Sequence, residues 1–173
     1  MKFQIEKAVE ILSQTPATVK SLLGNLSDDW MEKAADSENW SPFDIVGHLI
    51  HAEETDWIPR AEIILAQGAN PTFEPFDRFA QFEISKGKTL NELLETFAVA
   101  RTKSLVILAQ MNLTEEKLKL KGIHPELGEV TLEQLIATWT VHDLTHIRQI
   151  VTVLARKYAE NVGVWKQYLS ILQ

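Results

Sequence analysis

An all-α fold is what the 173-residue sequence predicts: a four-helix bundle with a short C-terminal helix added, residues 1–173 forming one domain. Three observations carry this expectation. Apolar residues recur at steps of three and four in four long segments, no stretch alternates convincingly with period two as a half-buried strand does, and the segments are separated by connections rich in turn-forming residues. Amphipathic helices joined in this way bury their apolar stripes against one another around a shared core. No internal repeat, low-complexity tract or linker divides the chain.

The first helix is expected from about Phe3 to Leu23, with Ile5, Val9, Leu12, Val19 and Leu22 on its apolar face. Pro16 should kink it, because proline lacks the N–H that bonds four residues back, and Gly24 should end it. The second helix opens at "SPFD". Ser41 can cap it, Pro42 takes the first helical position, where a missing N–H costs nothing, and Asp44 faces the positive end of the helix dipole. It should continue to about Gln67, bent at Pro59, before "GANPTFEPFDRF" breaks the pattern with two prolines and a glycine. The third helix starts at Thr89, where "TLNE" sets Glu92 at capping-box spacing, and runs to about Met111. "KGIHPELGE" reads as a second turn-rich connection. The fourth helix begins at Thr131 with the capping-box spacing of "TLEQ" to Gln134 and runs to about Tyr158, and "VWKQYLSIL" after Gly163 reads as the tail helix.

Composition excludes several functions. A formal net charge of -7, from 24 acidic against 17 basic residues that are scattered rather than gathered into a stripe, opposes nucleic-acid binding. The chain has no cysteine, which removes disulfides, thiolate metal ligands and a protein thiol nucleophile. Any reactive thiol would have to arrive on a small molecule. The first residues, "MKFQIEKAVEILSQTP", interrupt their apolar positions with acids and so lack a signal-peptide core, and no run approaches the roughly 18 apolar residues of a membrane span. A cytoplasmic location is the expectation.

The chemistry gathers at "VHDLTHIRQI". Residues four apart on a helix lie one above the other, so His142 and His146 are neighbours. Steps of three and four place them on the stripe Leu135, Trp139, His142, His146, Gln149, Val153, which faces the bundle interior. A buried polar group without a partner costs on the order of 1 to 3 kcal/mol. Two readings satisfy the pair: each ring hydrogen-bonds a neighbour, or both nitrogens meet one metal ion. A third ligand would come from "GHLIHAEE", where His48 shares a stripe with Ile45 and Ala52. His51, beside Glu53, Glu54 and Asp56, reads rather as part of a solvated rim that either orients a ligand or meets water. His124 in its turn reads as a loop-fixing residue.

A zinc-peptidase reading of "HDLTH" is weak, since Asp143 stands where a general-base glutamate is needed and no sheet is expected to hold a peptide. Asp143 fits better as a residue behind the site or in an ion pair with Arg148. Trp40, Trp57 and Trp139 are candidates for core or pocket wall.

"WSPFDIVGHLIHAEETDW", followed by "HPELGEVTLEQLIATWTVHDLTHIRQI" and a closing "WKQYL", resembles the DinB/YfiT-like superfamily of four-helix metal-binding proteins from about Trp40 to Leu169. The resemblance implies a three-histidine site for a divalent ion, zinc, nickel or iron, with ligands falling on His48, His142 and His146. It also implies reactions of the hydrolase or S-transferase kind, some using small thiols such as bacillithiol or mycothiol as cosubstrate. Three neutral imidazoles leave such an ion its full charge and an open position, as in catalytic rather than closed structural sites. Each ligand ring should donate its other N–H to an acceptor, for which Glu53, Glu54, Asp143 and backbone carbonyls are available. The expected function is therefore a metal-dependent hydrolase or thiol S-transferase acting on a small electrophile. The alternative is a non-catalytic binding or stress-response bundle whose metal is structural or vestigial. A cavity beside the histidines, lined in part by the loop from Gly68 to Phe79, would favour the enzyme. A homodimer is also compatible with the bundle faces.

Overall fold

The computed structural model describes residues 2–32 and 40–173. Its long helices are α1 (Ile5–Leu23), α2 (Pro42–Thr55), α3 (Trp57–Ala66), α5 (Leu90–Gln110) and α7 (Leu132–Arg156), with short helices α4 (Gln81–Ser85) and α6 (Glu115–Leu118) between them. Reciprocal capping boxes close at Ser41 with Asp44, at Thr89 with Glu92 and at Thr131 with Gln134. Each ties two otherwise orphan backbone N–H groups to side-chain oxygens and fixes where its helix starts.

Four expectations need correction. The second helical segment is two helices, broken at Asp56 (φ -109°, ψ -70°) and not at Pro59. Pro59 falls in the first turn of α3, where its missing N–H has no helical partner to lose. The turn-rich "KGIHPELGE" contains an antiparallel hairpin, β1 (Lys121–His124) with β2 (Gly128–Thr131), turned at Gly128 in the left-handed region (φ +77°). Gly122 lets this hairpin dock, because a Cβ there would lie 2.7 Å from the Phe73 ring and 2.8 Å from Ile64. The tail forms 3₁₀ turns at Gly163–Tyr168 and Ser170–Leu172 in place of an α-helix. Finally, α1 runs through Pro16 as one helix from Ile5 to Leu23, and the effect of the proline is felt by a neighbouring helix, as shown below.

Both α1 and α2 pack against α5 and α7, so the ring of neighbours runs α1, α5, α2, α7, with α1 diagonal to α2 and α5 diagonal to α7. This order makes α2 and α7 neighbours. The core along the bundle falls into two apolar halves, one built on Leu12, Ile64, Leu108 and Trp139, the other on Leu23, Leu49, Phe97 and Ile150. Between the halves lies a layer of buried polar side chains that includes His48, Glu53, Arg101, Asp143 and His146. No helix among the described residues is long and apolar enough to cross a membrane.

Candidate metal centre

With α2 and α7 side by side, His48, His142 and His146 converge. His142 Nε2 lies 3.0 Å from His48 Nε2 and 3.1 Å from His146 Nε2, and the three rings offer nitrogens that all lie within 4.8 Å of one another. The other nitrogens decide which protons are present. His48 Nδ1 donates to Gln81 Oε1 at 3.2 Å and His146 Nδ1 donates to Gln149 Oε1 at 2.8 Å. An amide oxygen can only accept, so both rings carry their proton on Nδ1 and turn a bare Nε2 lone pair toward the centre. His142 Nε2 can donate to one of these neighbours at most. At least one contact therefore sets two lone pairs face to face, an arrangement that a cation relieves.

The donor set fits a metal in two further ways. The separations approach the edge, about 3.3 Å, of a tetrahedral site with metal–nitrogen bonds of roughly 2.0 to 2.1 Å. Burial is the largest influence on all three rings and holds them neutral: it pushes the His48 pKa down to about 3 and that of His142 to about 2, and it lowers that of His146. Mutual repulsion between the rings adds to the effect at His48 and His142. Neutral imidazole is the form that binds metal.

Gln81 reaches His48 where α4 packs against α2 at Gly47. A Cβ at Gly47 would lie 2.2 Å from Ser85 Oγ and 3.6 Å from Gln81 O, so α4 rests directly on this glycine. The histidines open on a cleft of about 460 Å³ whose other walls are Trp40, Phe76, Arg78 and Gln149. Phe76 and Arg78 belong to the loop that the sequence placed beside the site. That loop is anchored by paired backbone bonds, Phe73 N–H to Ile123 O and Ile123 N–H to Pro71 O, each 2.9 Å. A larger groove of about 770 Å³ runs between α2–α3 and α5, lined by Glu54, Glu62, Glu95 and Lys103 among others, but no histidine borders it.

Glu53 and Asp143 serve a different centre. Arg101, 1% exposed, sends Nη1 and Nη2 to Asp143 at 2.6 and 2.9 Å, and Nε and Nη2 to Glu53 Oε1 at 3.0 and 2.7 Å. Trp139 Nε1 donates to the same Glu53 oxygen at 3.0 Å. Arg101 Nη1 also donates to the Leu12 carbonyl at 2.7 Å. In an unbroken helix that carbonyl would accept from residue 16, and residue 16 is proline, which has no N–H to give. Pro16 thus leaves Leu12 O free for a cation from another helix. Burial works against the Arg101 charge, but the bonds and charges of Asp143 and Glu53 outweigh it and raise the pKa.

The remaining sequence candidates sort accordingly. Asp143 does form an ion pair, with Arg101 rather than Arg148. The acceptors behind the histidines are the amides of Gln81 and Gln149 rather than carboxylates. His51 is buried under Phe76, ring centroids 4.8 Å apart, with no hydrogen-bond partner among the described residues, and not on a solvated rim. Phe76 caps that flank of α2 and keeps water from it. His124 fixes its loop by accepting from the N–H groups of Glu126 and Leu127 at 3.1 and 3.2 Å. Trp57 stacks on Trp139 at 5.8 Å and meets His142 edge-on at 5.0 Å, while Trp40 lies 4.9 Å from His48 and forms cleft wall. Arg101 escaped the sequence reading although a signal existed: it sits in the buried series Leu94, Phe97, Arg101, Ser104, Leu108, at steps of three and four.

A four-helix bundle with three histidines converging from adjacent helices defines a class, and the chain belongs to the DinB superfamily, which it matches over residues 11–150. Among its relatives, YfiT of Bacillus subtilis (strain 168), provisionally assigned as a metal-dependent hydrolase, is 25% identical over 166 residues, spanning 90% of this chain and 86% of YfiT. The solved structure of YfiT, described as a four-helix bundle of unusual topology, superposes with a TM-score of 0.76 at 22% identity, covering 91% of this chain and 89% of that one.

Proposed function

We propose that the protein is a metal-dependent enzyme in which His48, His142 and His146 hold a divalent ion, and that it acts on a small electrophilic molecule as a hydrolase or a thiol S-transferase. The observation that carries this reading is the convergence of bare Nε2 atoms at the floor of an open cleft. An all-imidazole set suits zinc, nickel or iron(II). When bound, the ion would supply Lewis-acid chemistry, making water or a small thiol nucleophilic near neutral pH. The chain does the rest. Gln81 and Gln149 fix the tautomers of His48 and His146, Trp57 and Trp139 wall His142 off from the core, and Trp40 and Phe76 flank the approach.

The hydrolase reading also draws on the assignment of YfiT. The thiol reading draws on the absence of cysteine, which leaves an external thiol as the available sulfur nucleophile. Access from the cleft favours catalysis over a structural metal, which would be enclosed. Elemental analysis of the purified, untagged protein should give about one divalent ion per chain, lost in His48→Ala. Failure to load zinc, nickel or iron on reconstitution would reduce the three histidines to hydrogen-bonded interior residues.

A further inference from the structure

We propose that the substrate carries a carboxylate and that Arg78 recognises it, an inference that rests on the metal-dependent reading above. Among the described residues, the lining of the cleft contains one permanent cation, Arg78, and no carboxylate. In a chain with a net charge of -7, the absence of an acid among the described residues of the cleft is a departure from the surroundings. Arg78 is exposed at the rim, and no ion pair engages it among the described residues. Its guanidinium carbon rests 5.8 Å from the centre of the Trp40 ring and 5.7 Å from that of Phe79. Such contacts hold the plane of the guanidinium by its face but consume none of its five N–H donors, which point outward along its edge.

Trp40 connects this cation to the histidines, since its ring lies 4.9 Å from that of His48 and 6.4 Å from that of His146. The positive charge of Arg78 reaches His48, where it opposes protonation. A planar fork with one unit of charge matches one carboxylate through two parallel hydrogen bonds. Phosphate dianions are poorer candidates, because among the described residues no second cationic side chain lines the cleft beside Arg78. A small carboxylic acid whose reactive group sits over the histidines and whose carboxylate meets Arg78 uses both ends of the site.

The test uses cobalt(II)-loaded protein titrated with ω-mercapto acids of increasing chain length and with the matching mercapto alcohols, read by the thiolate-to-cobalt absorption band. The native chain should bind the best acid roughly tenfold more tightly than its alcohol, and Arg78→Gln should abolish that preference while leaving alcohol affinity unchanged. Equal affinity for acid and alcohol in the native chain, or a preference that survives Arg78→Gln, overturns the assignment of Arg78 and leaves the metal reading standing. Failure of cobalt to load in the native chain overturns the metal reading, and this inference with it.

Discussion

Two groups of buried polar side chains share the middle layer of the bundle, and they solve the same problem in opposite ways. Around Arg101, Glu53, Asp143, Trp139 and the Leu12 carbonyl meet within 2.6 to 3.0 Å, charges oppose one another, and the group is closed to solvent. Around His142, three neutral rings face one another with too few protons to satisfy their nitrogens, and the group opens on a cleft. The first supplies its own counter-charges as the chain folds, with Glu53 Oε2 alone in the group left without a hydrogen-bond partner among the described residues. The second is incomplete in itself, and a metal ion is the partner we propose for it. Polar burial alone therefore does not mark a site; lone pairs converging without protons to match them do.

Breaking the closed group should have the largest effect on stability. Arg101→Met leaves Glu53 and Asp143 buried without their cation and should cost about 3 to 5 kcal/mol in denaturant unfolding at neutral pH. His142→Ala in metal-free protein removes one of three mutually repelling, desolvated rings, and its cost should stay well below that of Arg101→Met. Equal losses in the two variants would show that the histidines are as structural as the ion cluster.

Acid should separate the two groups next. The folded pKa of His48, about 3, and that of His142, about 2, lie below the 6.5 of the unfolded chain, so between these values the unfolded state binds more protons. The stability of metal-free protein should be fully present above pH 6.5 and fall as the pH drops below it. The slope approaches roughly 1.4 kcal/mol per pH unit for each histidine at most. His142→Ala should show a shallower decline in melting temperature between pH 6.5 and 4, and an unchanged slope would mean that the rings are not held neutral by the fold.

Much of this contrast was legible in the sequence, and what was not has physical causes. Capping chemistry is local, which is why Ser41, Thr89 and Thr131 could be placed as helix starts from their own neighbourhoods. The four-residue spacing of His142 and His146 is local too, and His48 followed from its stripe. The hairpin was hidden because each strand has only four residues, too short for an alternating pattern to stand out, and it relies on Gly122 meeting Phe73 from a distant loop. Arg101 bonds residues 42, 48 and 89 positions away, so no window of sequence contains its partners. His51 was misplaced because Phe76, which covers it, lies on another segment.

The smallest effect expected is also the sharpest. Gln81 touches no metal position, yet its amide oxygen sets the tautomer of His48, and α4, which carries it, rests on α2 at Gly47. Gln81→Ala should lower metal affinity about tenfold, the loss typical when the partner of a ligand imidazole is removed, and should cost the metal-free protein about 1 to 3 kcal/mol by leaving the buried His48 Nδ1–H without an acceptor. Gly47→Ala should have the smaller effect, since the added Cβ would sit 2.2 Å from Ser85 Oγ, a hydroxyl that can turn away, while the nearest backbone atom, Gln81 O, lies at an ordinary 3.6 Å. Isothermal titration with zinc reads both variants. If Gln81→Ala binds zinc as the native chain does, the orientation of His48 comes from Trp40 and Phe76 packing instead, and the difference between the two polar groups would reduce to solvent access alone.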